Sequence, residues 1–236
     1  MFRILAIVLF GLIVANTANA QGANPSDDVI LRALLPNGTW ADTTQIARFK
    51  RADEIRALKS AQLTAKDERA VSIIWLLAAL KYQYAENRRQ LINYERRCQR
   101  RPYPQGGECY SLAADRLIDL FRRGDHTLLK YLFDIEPHSD GFLAEVLGGF
   151  FSDTLASQPR VFLTALARRP VRQQRGIASA AGIEDGGGMD PERLLAVRRT
   201  LRGIVSKSSD PLSMVARTCL KQINIANAPN SHDENN

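Results

Sequence analysis

A ten-residue run, residues 71–80, in which Ser72 is the only polar residue, constrains the fold of this chain more than any other feature. It lies within a stretch, 64–101, that predicts one long helix, because Thr64 and Asp67 form a capping-box-like start and Pro102 blocks continuation. A helix that is apolar on nearly every face must be covered all round by other elements. The run is shorter than the roughly 20 residues that cross a bilayer. We therefore predict a long buried helix with the rest of the chain packed around it.

The remaining sequence predicts further helices and no sheet, because no stretch alternates apolar and polar residues at the spacing that strands need. Helices are expected over 27–35, 42–63, 112–123, 126–135, 140–156 (interrupted at Gly148-Gly149), 160–168, 170–183, 192–206 and 212–225. Their expected starting caps are Ser26, Ser111, Asp125, Ser139, Asp190 and Asp210. The predicted class is all-α: an irregular α-solenoid-like array or orthogonal bundle of antiparallel helix pairs. In outline this is similar to helical repeat folds of the HEAT kind, although the chain has no exact repeat period.

The first twenty residues have the pattern of a secretory signal. Arg3 precedes an apolar core over 4–15, and Ala18-Asn-Ala20 has the small-residue form of a cleavage site. We expect cleavage after Ala20, a single helical domain over 21–225, and a polar, disordered tail over 226–236. The mature protein is expected to be secreted or periplasmic, without a transmembrane segment.

Two of the three cysteines flank a short loop rich in proline and glycine. Disulfides form readily in exported proteins, so we predict a Cys98–Cys109 disulfide. Cys219 lies on an apolar helical stripe and is expected to be a buried free thiol.

Catalytic and metal-binding motifs are poorly represented. The segment 134–141 carries acids and His138, but Leu147 stands where a calcium loop needs a bidentate acid, and a second histidine at zinc spacing is missing. Gly186-Gly-Gly188 has no lysine of a phosphate-binding loop. We predict no metal site, no cofactor and no catalytic residue. The alternative is a cell-wall or lipid hydrolase that uses groups around 134–153, with Glu145 and Asp153 as paired carboxylates or His126 and His138 as bases.

Charge is segregated along this basic chain, whose formal net charge is +7. The segment 131–159 carries acids and no bases, whereas the segments on either side of it are rich in arginine. The candidate binding residues are Arg88, Arg89, Arg96, Arg97, Arg100, Arg101, Arg168, Arg169, Arg172 and Arg175.

Two interpretations of these arginines stay open. They form a basic face for an anionic envelope surface or an acidic protein partner, or they pair internally with the acidic helices. Nucleic acid is an unsuitable ligand, because few aromatic residues accompany the arginines. The composition favours a non-catalytic binding or scaffold protein of the bacterial envelope or extracellular space.

Overall fold

The computed structural model describes residues 25–38, 41–98, 100–101, 105–184, 187–207 and 209–228. These residues form eleven α-helices in packed pairs and one small β-hairpin, so the predicted all-α class is confirmed. The helices are α1 (Asp27–Leu34), α2 (Arg51–Gln62), α3 (Asp67–Ala79), α4 (Tyr84–Cys98), α5 (Gln105–Arg122), α6 (Leu129–Ile135), α7 (Gly141–Ser157), α8 (Pro159–Leu166), α9 (Val171–Ala180), α10 (Pro191–Val205) and α11 (Ser213–Ala226). Short 3-10 helices cover Thr43–Gln45, His126–Leu128 and Glu136–His138, and the antiparallel strands are β1 (Ile183–Glu184) and β2 (Gly187–Gly188). None of the helices in these ranges is long and apolar enough to cross a membrane.

Two of the predictions fall on residues without a described structure. The signal segment 1–20 lies outside the described residues, as does most of the tail, 229–236.

The long helix predicted over 64–101 is wrong, because the chain turns back between α3 and α4. The N–H of Tyr82 donates to the carbonyl of Leu77, and the N–H of Lys81 donates to that of Ala78, both at 2.9 Å. With Lys81 at φ 57°, this is a Schellman motif, which ends a helix by pairing its last carbonyls. The apolar run therefore belongs to α3 alone, and α4 packs against it.

The second predicted helix, 42–63, is also shorter than expected. The regular helix begins only at Arg51, after the 3-10 helix and a turn in which Ala47 has φ 71°. The buried carboxylate of Glu54 accepts hydrogen bonds from the N–H groups of Ala47 (3.0 Å) and Phe49 (3.3 Å). A side chain that satisfies these backbone donors stabilises the turn against continuation of the helix.

The predicted disulfide joins α4 to α5. Cys98, the last residue of α4, is bonded to Cys109, and their Cα atoms are 5.4 Å apart. Helix α5 begins at Gln105, seven residues before the expected start, so Ser111 is inside the helix and does not cap it. Its hydroxyl donates to the carbonyl of Gly107 at 3.1 Å.

Several later boundaries follow the sequence prediction. The carboxylate of Asp190 accepts from the N–H of Arg193 at 3.0 Å and caps α10, as expected. Asp125 accepts from the N–H of Thr127, and Gly124, with φ 104°, ends the preceding helix. The interruption expected at Gly148-Gly149 is wrong, because α7 runs through it.

Gly148 has a packing role instead of a helix-breaking one. A Cβ at this position would lie 2.8 Å from the carbonyl oxygen of Ile183.

Every one of the eleven described helices contributes to one apolar core. Phe133 of α6 meets Phe151 of α7 and Phe162 of α8 edge-on, with ring centroids 5.2 and 5.3 Å apart. Such aromatic contacts add to the free energy of area burial and fix relative orientation. They hold α6 and α8 side by side, with one face of each helix left for the surface.

Loss of the Cys98–Cys109 disulfide should lower the free energy of unfolding by about 2–3 kcal/mol without abolishing folding. The entropy of the unfolded chain rises when the bond is lost, whereas the large apolar core stays. Denaturant unfolding of the wild type and of Cys98→Ala/Cys109→Ala, each with and without reductant, measures this. Reductant should destabilise only the wild type.

Thiol labelling provides an independent check on this pairing. Cys219 is buried, and burial raises the pKa of its thiol to about 12, so the native protein should take up no label. Unfolding without reductant should expose Cys219 alone. Labelling of Cys98 and Cys109 without reductant would contradict the pairing.

Candidate anion-binding cleft

A cleft with a volume of ≈ 860 Å³ lies along α6 and α8. Its two walls have the same helical spacing. One presents His126, Lys130 and Asp134, and the other presents Arg160, Thr164 and Arg168. Lys130 and Asp134 share one face of α6, and Arg160 and Thr164 share one face of α8, because residues four apart lie on the same side of a helix. His126 extends the first wall from the 3-10 helix before α6, and Arg168 extends the second from the turn after α8. The opposite faces hold core residues such as Leu132 and Leu163, so burial of these apolar faces leaves the polar stripes to line the cleft.

The cleft is strongly cationic. Among the described residues, five cationic side chains line it against a single carboxylate, Asp134: Arg96, Lys130, Arg160, Arg168 and Arg169. Arg96 comes from the last turn of α4, so the cleft joins both arginine-rich segments that the sequence singled out. Tyr131, Val161 and Ala165 add an apolar lining between the charges.

Arg169 has a structural role in the cleft. One guanidinium N–H donates to the Asp134 carboxylate at 2.6 Å and another donates to the carbonyl of Lys130. Its guanidinium also lies 5.9 Å from the centroid of the Phe133 ring. These contacts tie the turn after α8 to α6, and they occupy the only carboxylate among the described residues of the cleft lining.

Arg160, in the first turn of α8, makes an ion pair but stays largely exposed. It pairs with Asp210 at 2.6 Å, although its side chain is still 65% exposed. The remaining cations, Arg96, Lys130 and Arg168, are exposed and make no ion pair with any described residue. These three are the charges that the cleft can offer to a ligand.

The first two predicted arginines, in the first half of α4, lie in ion pairs. Arg88 donates to the Asp125 carboxylate at 2.5 Å and to the hydroxyl of Thr127, and Arg89 pairs with Glu86. Arg169, which pairs with Asp134, is paired with the acidic segment as the internal-pairing interpretation states, whereas Arg88 and Arg89 are paired with acids outside that segment.

The seven other predicted arginines are distributed over three places: Arg96 and Arg168 line the cleft, and the rest lie at a second groove or on α9. Arg97 and Arg101 line a second groove at the start of α3, and Arg100 is exposed next to Arg101. Arg172 and Arg175 are exposed on α9 and do not line the cleft. The ten arginines therefore do not form one continuous face.

The acidic candidates for catalysis are not brought together as predicted. Asp153 pairs with Arg193 of α10 at 2.5 Å. Glu145 instead lines a smaller cleft of ≈ 410 Å³ together with Glu136. Burial raises the pKa of the Glu136 carboxyl. Within the described residues, no three His, Cys, Asp or Glu side chains are placed to hold a metal ion.

The histidines are also in separate places. His126 lines the basic cleft and lies 5.0 Å from the Phe121 ring, whereas His138 stacks on Tyr110 with centroids 5.1 Å apart. Tyr110 has a buried hydroxyl, and burial raises its pKa to about 12.

Sequence reasoning missed Lys130, and it left Arg160 out of the binding candidates although Arg160 belongs to the arginine-rich segment that follows 131–159. Lys130 is an isolated cation in sequence, next to the acidic segment, and Arg160 was separated from the arginines that follow α8. The available signal was their spacing. Each lies four residues from another polar side chain on the exposed face of a short amphipathic helix.

Comparisons of the chain with protein families, with curated proteins and with solved structures find no match. Its function is therefore inferred from the chemistry of the cleft.

Asp125→Asn should lower the free energy of unfolding at pH 7 by about 1.5–3 kcal/mol, because the carboxylate accepts hydrogen bonds from a charged group. Burial alone would raise the pKa of Asp125, but hydrogen bonds from Thr127, Tyr84 and Arg88 hold it below its ordinary value. A lowered pKa stabilises the fold above pH ~4 and loses that effect as the pH falls through the folded-state value. The gap between wild type and variant should therefore shrink below pH ~4.

Denaturant unfolding between pH 3 and pH 7 measures the gap. Asp140→Asn is the control, because Asp140 is exposed and makes no ion pair with a described residue. A gap for Asp125→Asn that is absent at pH 7, or constant down to low pH, would contradict the assignment.

Proposed function

We propose that this chain is an exported, non-catalytic binding protein whose basic cleft holds an anionic group of an envelope component. The observation that carries the proposal is the convergence of Arg96, Lys130 and Arg168, from three different elements, on one concave surface without ion-pair partners among the described residues. Like charges repel in a confined cleft, and an anionic ligand relieves that repulsion.

The side chains of the cleft support binding more than catalysis. Asp134, the one carboxylate among the described lining residues, is held by Arg169 and is therefore not placed as a free general base. His126 follows Asp125 in sequence, but that carboxylate accepts from Arg88, Tyr84 and Thr127. A cleft of this volume with cations and a partly apolar lining suits recognition of an anion that also carries apolar or neutral groups.

Export belongs to the same proposal. The pattern of Arg3, the apolar core and Ala18-Asn-Ala20 supports a cleaved signal, and a disulfide-bonded pair supports an oxidising compartment. The protein would then meet its ligand in the periplasm or outside the cell.

Protein recovered outside the cytoplasm should begin at Gln21, because signal peptidase cuts after a small-x-small sequence. N-terminal sequencing or intact mass measures this. A replacement of Ala20 by a bulky residue should leave the precursor uncut. Exported protein that keeps Met1 would overturn this part of the proposal.

A hydrolase is the second candidate, and it rests on Glu136. This half-buried carboxyl, whose pKa is raised by burial, lies in a cleft with Glu145, and a raised pKa is what a general acid needs at neutral pH. Release of product from cell-wall or lipid substrates would distinguish this candidate from a binding protein.

Arg168→Glu should weaken binding of tripolyphosphate to the cleft by about tenfold or more, equivalent to about 1.4 kcal/mol. The change removes an unpaired cation and adds repulsion. Arg172→Glu is the matched control, because it alters the net charge equally at an exposed position outside the cleft. Binding to the wild type should also weaken as salt is raised. Isothermal titration calorimetry measures the affinities of the wild type and of both variants for tripolyphosphate, and the salt dependence of binding to the wild type.

A second variant, Lys130→Glu on the opposite wall, should behave like Arg168→Glu. Equal affinities for Arg168→Glu and Arg172→Glu would show that only net charge matters, and would overturn the cleft as the site.

A further inference from the structure

A second groove runs along the other side of α4, at the start of α3, and has a volume of ≈ 730 Å³. Within the part of the chain that the structure describes, its charged lining consists of four cations, Lys66, Arg69, Arg97 and Arg101, and two acids, Asp67 and Glu68. Apolar atoms of Val71, Ile74 and Tyr94 complete its lining. The groove is concave and carries a positive excess, as the cleft does.

One helix end supplies cations to both concavities. Arg96 lines the cleft and Arg97 lines the groove, because consecutive residues on a helix point about 100° apart. Arg101 also lines the groove, and Arg100 is exposed beside it. The last turn of α4 and the turn that follows it, with Arg96, Arg97, Arg100 and Arg101, therefore form a cationic ridge between the cleft and the groove.

The arginines of the ridge differ from those in the first half of α4 in their ion pairing. Arg88 and Arg89, in the first half of the helix, are ion-paired. Arg96, Arg97 and Arg101 make no ion pair with any described residue. The helix dipole favours cations at this end. The helix dipole does not explain why a hollow lined by further cations lies on each side of the ridge.

We propose that the anionic ligand is a linear polymer, which enters the cleft, crosses the C-terminal end of α4 and continues into the groove at the start of α3. This rests on the proposed function of the cleft and extends it to a ligand class, a flexible chain with repeated anionic groups. A flat membrane surface does not fill two hollows separated by a ridge, whereas a chain follows both. Two linked contacts raise the affinity of a chain above that of a single anion, because the second contact forms intramolecularly.

Tripolyphosphate and long-chain polyphosphate are the two probes, each measured by isothermal titration calorimetry over a range of salt concentrations. Arg101→Glu changes the groove, Arg168→Glu changes the cleft, and Arg172→Glu changes neither. Arg101→Glu should weaken long-chain binding about tenfold and alter tripolyphosphate binding less than about twofold. Arg168→Glu should weaken both. The salt dependence should be steeper for the long chain and should become shallower in Arg101→Glu, since fewer counterions are released.

Three outcomes overturn the polymer proposal in different ways. If Arg101→Glu binds long-chain polyphosphate as the wild type does, while Arg168→Glu weakens both probes, the cleft binds a single anion and the proposed function stands without the polymer. If Arg168→Glu affects neither probe, the proposed function fails as well. Binding to vesicles of anionic phospholipid that exceeds polyphosphate binding, with Arg101→Glu and Arg172→Glu equally weakened, would assign the basic residues to a membrane surface.

Arg97→Glu is a second groove variant in case Arg101→Glu disturbs the end of α4. Its effect on the two probes should match that of Arg101→Glu, and circular dichroism of each variant should show unchanged helix content.

Discussion

Burial of the apolar part of α3 is the constraint from which the rest of this fold follows. Over residues 71–80 every side chain except Ser72 is apolar and all but the half-buried Ile74 are buried, so neighbouring elements must cover nearly the whole circumference of the helix. The chain turns back at Lys81, so that α4 packs on α3. Helix α5, which the disulfide joins to α4, also packs on α3. Arg116 of α5 is buried with its guanidinium 5.2 Å from the Trp75 ring and bonded to Ser72, and this burial lowers its pKa to about 10. Its polar groups fix how α5 sits on α3.

Two helix ends show how much of this could be read from the sequence. Both α3 and α5 end in a Schellman motif. In each, the residue that follows the C-cap has a left-handed backbone conformation. At the end of α5 that residue is Gly124, which has no steric penalty there, and the end was predicted. At the end of α3 it is Lys81, which carries no local signal. The turn is stabilised instead by tertiary packing and by the Asn87 amide, which donates to the Tyr82 carbonyl at 2.7 Å.

The sequence predicted that a basic surface exists, but it did not predict where in the fold the cleft forms. Charge segregation identified Arg96, Arg168 and Arg169, but no local pattern says that α4, α6 and α8 meet. The side-by-side placement of α6 and α8 depends on the contacts of Phe133 with Phe151 and Phe162, which no local pattern specifies. The pairing of Arg88 with Asp125 rather than with a ligand depends on the same tertiary arrangement.

The disulfide connects the stability of the fold to the proposed site. Cys98 lies directly after Arg96 and Arg97 and shortly before Arg100 and Arg101, so its bond to α5 holds the end of the helix that carries these charges. Ordering long side chains and mobile backbone on binding costs conformational entropy. A backbone that is already fixed by a covalent bond reduces that cost to the arginine side chains themselves. The Arg169–Asp134 ion pair does the same for the opposite wall, because it ties the turn that carries Arg168 to α6. The residues that are paired thus hold in place the residues that are not, which is why internal pairing and ligand binding coexist among the same group of arginines.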